Sequence, residues 1–160
     1  GELIMSPAPS AQHQEVCHRF HRALEEWVRP RNLGRVFSAP LDMVLSAHQT
    51  AQPDVLFVAQ ARLSLIRRAA MGPADLVAEV VSLGSRNRDR IEKRDLYEQY
   101  EVEEYWILDP EPQTIEVLAL ESNRYQLVGR WRPTETAESR FLPGFSVPVE
   151  PLFADLVGEP

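Results

Sequence analysis

Ala74-Asp-Leu-Val-Ala-Glu-Val-Val-Ser82 is a Val-rich apolar run without Gly or Pro, and one acid, Glu79, interrupts it. Short apolar runs of this composition predict a strand that is buried on both faces. An ionised carboxylate inside such a strand is strongly unfavourable unless it has a partner. Two kinds of partner would suit Glu79, a metal ion and a cationic side chain.

The residues that follow this strand predict a helix from about Asn87 to Tyr100. The segment has no Gly or Pro and is rich in Arg, Glu, Lys, Leu and Gln, which favour helix, and Ser85 or Asn87 is a candidate N-cap. At the helical period one stripe combines apolar and charged residues, and Ile91 lies on the opposite side. The stripe consists of Asp89, Lys93, Leu96, Tyr97 and Tyr100. Lys93 is therefore predicted to point inward and to reach back toward the strand that carries Glu79.

The rest of the chain predicts a mixed sheet with helices around it. Residues 105–108 predict a second buried strand, so that residues 74–108 form a parallel β-α-β unit. A helix is predicted from a Ser10 cap to about Arg29, on the spacing of Val16, Phe20 and Leu24. Other predicted elements are strands at 2–5, 35–39, 41–46 and 53–58, a short helix at 60–68, a hairpin of 114–120 with 125–131, a mobile loop at 133–140, a short strand within 141–149 and a helical turn at 151–157. Strands 35–39 and 41–46 are expected to pair as a hairpin or bent meander around Pro40.

Composition places the chain among ordinary globular proteins. Its 160 residues predict one domain, residues 1–160, and 44% of them are apolar. Cys17 is the only cysteine, which fits a reducing cytoplasm, and neither a membrane span nor a signal peptide is visible. Net charge is −7, from 17 basic and 24 acidic residues. This charge argues against a protein that coats nucleic acid through bulk attraction, although a nuclease needs only a local basic strip.

Three side chains from neighbouring elements carry the predicted chemistry. Asp54 begins one strand, Glu79 lies in a second, and Lys93 faces inward from the next helix. Two carboxylates on neighbouring strands suit a hard divalent cation, Mg²⁺ or Mn²⁺, with the carbonyl of Val80 as a further ligand. Such an ion activates a bound water and stabilises charge on a phosphate oxygen, while Lys93 orients the water or neutralises the transition state.

These residues occur in an order that resembles a known family. The matching motifs are Pro53-Asp54, Glu79-Val-Val-Ser82, Asp89, Lys93, Tyr97, Glu104-Tyr-Trp-Ile-Leu-Asp-Pro110 and, at the start, Gly1-Glu2-Leu3 and Met5-Ser-Pro-Ala-Pro-Ser10 with His13. In this order they look like the Uma-two family of putative restriction endonucleases, within the PD-(D/E)XK nuclease superfamily. The resemblance covers nearly the whole chain.

The resemblance implies a restriction-endonuclease-like fold, with a mixed β-sheet flanked by helices, and metal ligation by Asp54 and Glu79. The lysine that the superfamily places two residues after the Glu is Val81 here, and Lys93 stands at the family's lysine position. Ser82-Leu-Gly-Ser85 also departs from the family's usual Ser-Pro-Ser. Supporting roles fall to Glu2, His13, Ser82, Asp89 and Tyr97, and the phosphate contacts to Arg86, Arg88 and Arg90.

Each of these residues also has a purely structural interpretation. Asp54 after Pro53 is a common turn or cap residue, and Glu79 could face outward or pair with Arg88 or Lys93. Lys93 could pair with Asp89 on the helix surface. His13 could be a cap or surface residue, Cys17 a small buried apolar residue, and the arginines a solvated helix face.

The sequence therefore supports a metal-dependent endonuclease that hydrolyses phosphodiester bonds in DNA. The alternatives are a non-catalytic member of the same fold, acting as a dimeric interaction module, and a protein that binds nucleic acid without cutting it. The acidic net charge favours the first alternative, and the scarcity of lysine speaks against the second. A homodimer is expected from the resemblance, since nucleases of this kind often pair to cut both strands.

Overall fold

A computed structural model describes residues 8–83 and 86–160, except for the side chains of residues 86–89. The helices are α1 (Ala11–Val28), α2 (Arg86–Gln99) and α3 (Val149–Phe153), and Gln60–Leu65 forms a 3₁₀ helix. The strands are β1 (Gly34–Ser38), β2 (Met43–Ser46), β3 (Gln49–Ala51), β4 (Val55–Ala59), β5 (Leu76–Val80), β6 (Glu104–Asp109), β7 (Thr114–Glu121), β8 (Arg124–Trp131), β9 (Thr136–Glu138) and β10 (Ser146–Pro148). The predicted strand at 2–5 lies outside the described residues.

Six strands form one mixed sheet in the order β1-β4-β5-β6-β7-β8. β5 and β6 are parallel and are connected by α2, whereas the other neighbouring pairs are antiparallel. A parallel pair needs such a crossover because its strands run in the same direction. The predicted α/β class, a mixed sheet flanked by helices, is confirmed, and so are the β5-α2-β6 unit and the β7-β8 hairpin.

Helix α1 covers one face of the sheet. Its N-terminus is capped by Ser10, whose side chain accepts a hydrogen bond of 3.1 Å from the backbone N–H of His13, a contact that stabilises a helix by about 1 kcal/mol. The apolar residues at helical spacing, Val16, Phe20, Leu24 and Val28, are fully buried. The predicted helix is thus present, and His13 lies in its first turn.

The central strands are buried on both faces, as predicted. In β5, Leu76, Ala78 and Val80 pack in the cluster that contains α1, and Val77 packs in the cluster that contains Tyr97 of α2. Because side chains alternate along a strand, Glu79 points to the α2 side. In α2, Tyr97 is buried and Ile91 is exposed, which confirms the predicted orientation of this helix.

Two predictions about strand pairing were wrong. Residues 35–39 and 41–46 do not form a hairpin, because β1 pairs with β4 and β2 pairs with β3. The partner of β2 is β3, at Gln49–Ala51, where no strand was predicted. Residues 133–140, predicted as a loop, contain β9, which pairs with β10. These short strands have partners that local sequence patterns do not specify.

No helix in residues 8–83 or 86–160 combines the length and the hydropathy needed to cross a membrane.

Candidate active site

Asp54 and Glu79 lie opposite each other on neighbouring strands. β4 and β5 pair antiparallel with Val55 beside Ala78, so the next residues in this register are Asp54 and Glu79. The backbone N–H of Val80 donates a hydrogen bond of 2.8 Å to Oδ2 of Asp54. In extended backbone the N–H and C=O of one residue face the same neighbouring strand, so the carbonyl of Val80 belongs to the same edge of β5 as that N–H.

Glu79 is 4% exposed and has two side-chain partners on α2. The hydroxyl of Tyr97 donates a hydrogen bond of 2.6 Å to Oε1, and the ammonium of Lys93 lies 3.0 Å from Oε2. Lys93 and Tyr97 are four residues apart, so they lie on one side of the helix. Of the alternatives that the sequence left open for Glu79, a cationic partner is present and is the predicted lysine.

The electrostatics of Glu79 are unusual for a carboxyl group. Burial, and then the negative charge of Asp54, raise its pKa to about 7, although Lys93 and Tyr97 act in the opposite direction. Burial and the neighbouring Glu79 also raise the pKa of the Tyr97 hydroxyl well above its ordinary value. A carboxyl group with a pKa near neutrality changes its charge in the working range of most enzymes.

His13 extends from the first turn of α1 to Asp54. Its Nε2 lies 3.2 Å from Oδ2 of Asp54, and the two side chains are 14% and 16% exposed. Burial acts to raise the pKa of Asp54, but the hydrogen bond and charge of His13 and the N–H of Val80 outweigh it, and the pKa is lowered. The hydrogen bond to Asp54 in turn raises the pKa of His13, against the effect of burial. These shifts favour a charged pair.

Cys17 is a neighbour of the site that the sequence did not identify. Its Sγ lies 3.6 Å from Nδ1 of His13, one helical turn away. The thiol is partly buried, and burial, then the charges of Asp54 and Glu79, raise its pKa. His13 and Cys17 are four residues apart in a predicted helix, and this spacing was the available signal. The sequence did not show which side of that helix faces the site.

A cavity of about 450 Å³ opens beside His13. It lies where β5 and β6 end, an edge at which open α/β sheets commonly bind ligands. Ser82 is exposed and lines this cavity. The lining residues are Ala8, Pro9, Ser10, Gln12, His13, Val81, Ser82, Leu83, Pro110, Glu111 and Pro160.

Arg90, a predicted phosphate contact, forms an ion pair with the sheet. Its Nη2 lies 2.9 Å from Oε2 of Glu116 on β7, and Arg130 lies 3.3 Å from the other oxygen of the same carboxylate. Arg90 thus takes part in an ion-pair network on the sheet rather than in the group around Glu79. Of the other predicted residues, Glu2 and the side chains of Arg86, Arg88 and Asp89 lie outside the described part of the chain.

A second buried carboxylate, Glu104, lies at the start of β6 and was quoted from the sequence only as part of a motif. It is fully buried and accepts hydrogen bonds of 2.6–2.8 Å from four donors. The donors are Trp106 Nε1, Ser139 Oγ and the backbone N–H groups of Arg140 and Phe141. The signal that singled out Glu79 did not mark Glu104, because Glu104 follows Glu103 at the edge of its apolar run and does not interrupt it. Its partners identify it as a structural clamp on residues 139–141.

The donor set at Asp54 and Glu79 fits a hard divalent cation. Two carboxylates stand on adjacent strands, and the charge of Asp54 is one of the causes that raise the pKa of Glu79. A cation between them would relieve this repulsion, and oxygen donors are those that Mg²⁺ prefers. Asp54, Glu79 and the carbonyl of Val80 are the groups able to hold it.

The fold defines the class of protein, an α/β protein with a six-stranded mixed sheet and helices. A crystal structure titled as a putative nuclease belonging to DUF820, from Anabaena variabilis ATCC 29413, has the same fold, with a TM-score of 0.78 and 17% sequence identity over 98% of this chain and 88% of that one. The chain belongs to the Uma2 family, described as "Putative restriction endonuclease", whose model matches residues 1–150. No curated protein matches the chain.

Proposed function

We propose that the chain is a Mg²⁺-dependent endonuclease that hydrolyses phosphodiester bonds in DNA. The observation that carries this proposal is the convergence of three elements on one point. The register of β4 and β5, continued one residue beyond Val55 and Ala78, puts Asp54 beside Glu79, and Lys93 Nζ from α2 lies 3.0 Å from Glu79. Two acids and a lysine are the groups that phosphodiester hydrolysis needs for metal binding and charge neutralisation. Membership of the Uma2 family supports the same activity.

Asp54, Glu79 and the carbonyl of Val80 would hold the ion. When bound, Mg²⁺ or Mn²⁺ lowers the pKa of a coordinated water and offsets negative charge on the phosphoryl oxygens. The two carboxylates differ before any ion binds, because the pKa of Asp54 is lowered and that of Glu79 is raised to about 7. Of the two carboxyl groups, Asp54 is therefore the one that is more readily ionised.

Lys93 is the only lysine in the sequence. Its side chain is 38% exposed, whereas that of Glu79 is 5% exposed, so the lysine links a buried carboxylate to the solvent-accessible surface. In this position it can hydrogen-bond a non-bridging phosphoryl oxygen and stabilise the charge that develops as water attacks phosphorus. An ammonium supplies this charge on a flexible stem, so it can approach a phosphate while its stem stays packed.

Tyr97 and His13 serve as positioning residues. The Tyr97 hydroxyl fixes the orientation of Glu79 at 2.6 Å, and His13 holds Asp54 at 3.2 Å. Both partners reduce the conformational freedom of the carboxylates, which matters because small displacements of reacting groups reduce rates strongly. Arg86 and Arg88, earlier in α2 than Lys93, are proposed as contacts to the DNA backbone.

The direct test is nicking of supercoiled plasmid with Mg²⁺ or Mn²⁺. We expect wild-type protein to nick and EDTA to stop the reaction. Asp54→Asn and Glu79→Gln should both abolish nicking, since each removes a charged ligand and keeps its shape. Glu26→Gln is the matched control, because it makes the same change on the exposed side of α1, where the Glu26 side chain is 72% exposed. Cutting that persists in Glu79→Gln would contradict the assigned site.

One observation favours a second candidate, a non-catalytic member of the fold. Both oxygens of Glu79 already have partners in the protein, and no buried side-chain polar atom in the described residues lacks a hydrogen bond. Such a pocket is complete without an ion. Calorimetric titration of Mg²⁺ separates the two candidates. Binding in the wild type that disappears in Asp54→Asn and Glu79→Gln supports the nuclease, and absence of binding with and without DNA supports the non-catalytic protein, for which a dimeric assembly is the proposed role.

A further inference from the structure

A second set of metal-binding groups lies on the α1 side of Asp54. His13 and Cys17 are four residues apart in α1 and lie on the same face of the helix. Sγ of Cys17 is 3.6 Å from Nδ1 of His13, and Nε2 of His13 is 3.2 Å from Oδ2 of Asp54. One donor atom of each residue can be chosen so that the three atoms lie within 4.8 Å of one another. The imidazole of His13 thus lies between the thiol and the carboxylate and is in reach of both.

We propose that His13, Cys17 and Asp54 bind a thiophilic divalent cation of the Zn²⁺ class, and that this ion competes with Mg²⁺ for Asp54. The binding site stands on its own geometry, and only the competition rests on the proposed function. Sulfur and imidazole donors select Zn²⁺ and related ions, whereas carboxylates and carbonyls suit Mg²⁺. Asp54 is the one side chain that both donor sets share.

The three donor atoms, which lie within 4.8 Å of one another, would have to move closer together for tetrahedral coordination of one ion. With Zn–S bonds of about 2.3 Å and Zn–N and Zn–O bonds of about 2.0 Å, tetrahedral donors stand roughly 3.3–3.6 Å apart. The contacts of His13 with Cys17 and with Asp54 are 3.6 Å and 3.2 Å, although they use opposite ring nitrogens. A single ion takes one nitrogen, so the imidazole would turn on its side-chain bonds to complete the triangle. The fourth position would be filled by water or by a substrate oxygen.

Charge and access also suit the ion. A Cys17 thiolate and the Asp54 carboxylate together balance a charge of +2. When the metal binds, the thiol proton and the proton on the coordinating ring nitrogen of His13 both leave to solvent. The three side chains are partly buried rather than sealed in the core. His13 lines the cavity of about 450 Å³, which provides an entry path. In this arrangement an ion bound by Cys17 would occupy Asp54 and leave Glu79 paired with Lys93.

Cobalt is the appropriate probe because its spectrum reports the ligands. We expect Co²⁺ added to the full chain without Mg²⁺ to give a thiolate-to-metal charge-transfer band and the strong visible bands of tetrahedral cobalt. Since Cys17 is the only cysteine in the sequence, a charge-transfer band identifies Cys17 as the thiolate ligand of the cobalt ion. Cys17→Ala should remove the band, and His13→Asn should lower Co²⁺ affinity at least about tenfold. His18 is an exposed histidine on the same helix, so His18→Asn is the matched control. It should keep both the charge-transfer band and the Co²⁺ affinity.

Absence of the charge-transfer band in the folded wild type would overturn the proposal, and so would a Co²⁺ affinity that His13→Asn and Asp54→Asn leave unchanged. Circular dichroism of each variant verifies folding. Glu79→Gln should keep the cobalt spectrum although it loses Mg²⁺ binding, so failure of the nuclease proposal and failure of this one are separate results. If both hold, the Zn²⁺ concentration that inhibits nicking should rise at least about tenfold in Cys17→Ala.

Discussion

The ammonium of Lys93 lies 3.0 Å from Oε2 of Glu79, and the β5-α2-β6 crossover creates this contact. The strand carries the acid into the interior, and the helix returns over the same face of the sheet with the lysine on its inner side. The ion pair with Lys93 lowers the free-energy cost of burying the Glu79 carboxylate in a strand. The lysine stays accessible to solvent, since its side chain is 38% exposed.

Replacing Lys93 by Met should lower the nicking rate about a hundredfold or more, since removal of one preorganised charge or donor has effects of this size. The Met side chain keeps the apolar stem, so the packing of α2 changes little. Initial rates on supercoiled plasmid measure the effect. Arg132→Met is the control, because it also removes one positive charge from a side chain that is 81% exposed. An unchanged rate in Lys93→Met would remove the lysine from the mechanism.

The stability of the metal-free protein should depend on pH through Glu79. Its pKa is about 7 in the folded protein and 4.5 ordinarily, so folding favours the protonated form. The contribution is fully present below about pH 4.5 and is lost as pH rises through about 7, by at most roughly 3 kcal/mol. Glu79→Gln has no such proton, so its stability relative to wild type should increase between about pH 5 and pH 8.

Denaturant unfolding in EDTA at several pH values measures this difference. Glu26→Gln provides the control, because it makes the same change in a side chain that is 72% exposed. A wild-type minus Glu79→Gln difference that stays constant with pH would show that Glu79 is charged to the same extent in the folded and unfolded states.

Tyr97→Phe should destabilise the protein by about 1–3 kcal/mol, since it leaves a buried carboxylate without one hydrogen-bond donor. The hydroxyl of Tyr97 also lowers the pKa of Glu79, so its loss should move the pH-dependent decline in stability to higher pH. Tyr125→Phe is the matched control. It removes a hydroxyl that donates a hydrogen bond of 2.7 Å to the carbonyl of Val102, far along the chain from Glu79.

Unfolding curves at several pH values distinguish the two tyrosines. Both variants should lose stability, and only Tyr97→Phe should shift the pH midpoint. A shift of equal size in Tyr125→Phe would mean that the pH dependence arises outside the Glu79 cluster.

Glu104→Gln should lower the free energy of unfolding by about 2 kcal/mol or more, because an amide places a donor where the carboxylate accepts from N–H and O–H groups. Exchange of the amide hydrogens of Arg140 and Phe141 should accelerate in this variant. Its nicking rate at low temperature should stay near that of wild type. Glu104 pairs with Leu76 at the start of β5, whereas Glu79 lies near the end of that strand.

Glu103→Gln is the control for this comparison, since the neighbouring side chain is exposed. If Glu104→Gln were as stable as Glu103→Gln, the four hydrogen bonds would not act as a clamp.

The sequence by itself determined the parts of this protein that depend on local pattern. β5 and α2 follow from apolar runs and helical spacing, and the inward orientation of Lys93 follows from the stripe that it shares with Tyr97. The requirement of Glu79 for a partner follows from the cost of burying a charge. These inferences needed no knowledge of neighbours in space.

Only the tertiary structure decided which distant residues meet. β1 pairs with β4 and not with β2, and the antiparallel register of β4 and β5 places Asp54 opposite Glu79. The packing of α1 on the sheet brings His13 and Cys17 to Asp54, and the loop at 139–141 closes over Glu104. Strand pairing and helix packing minimise the exposed apolar surface of the whole chain at once, and for that reason no local stretch of sequence contains these contacts.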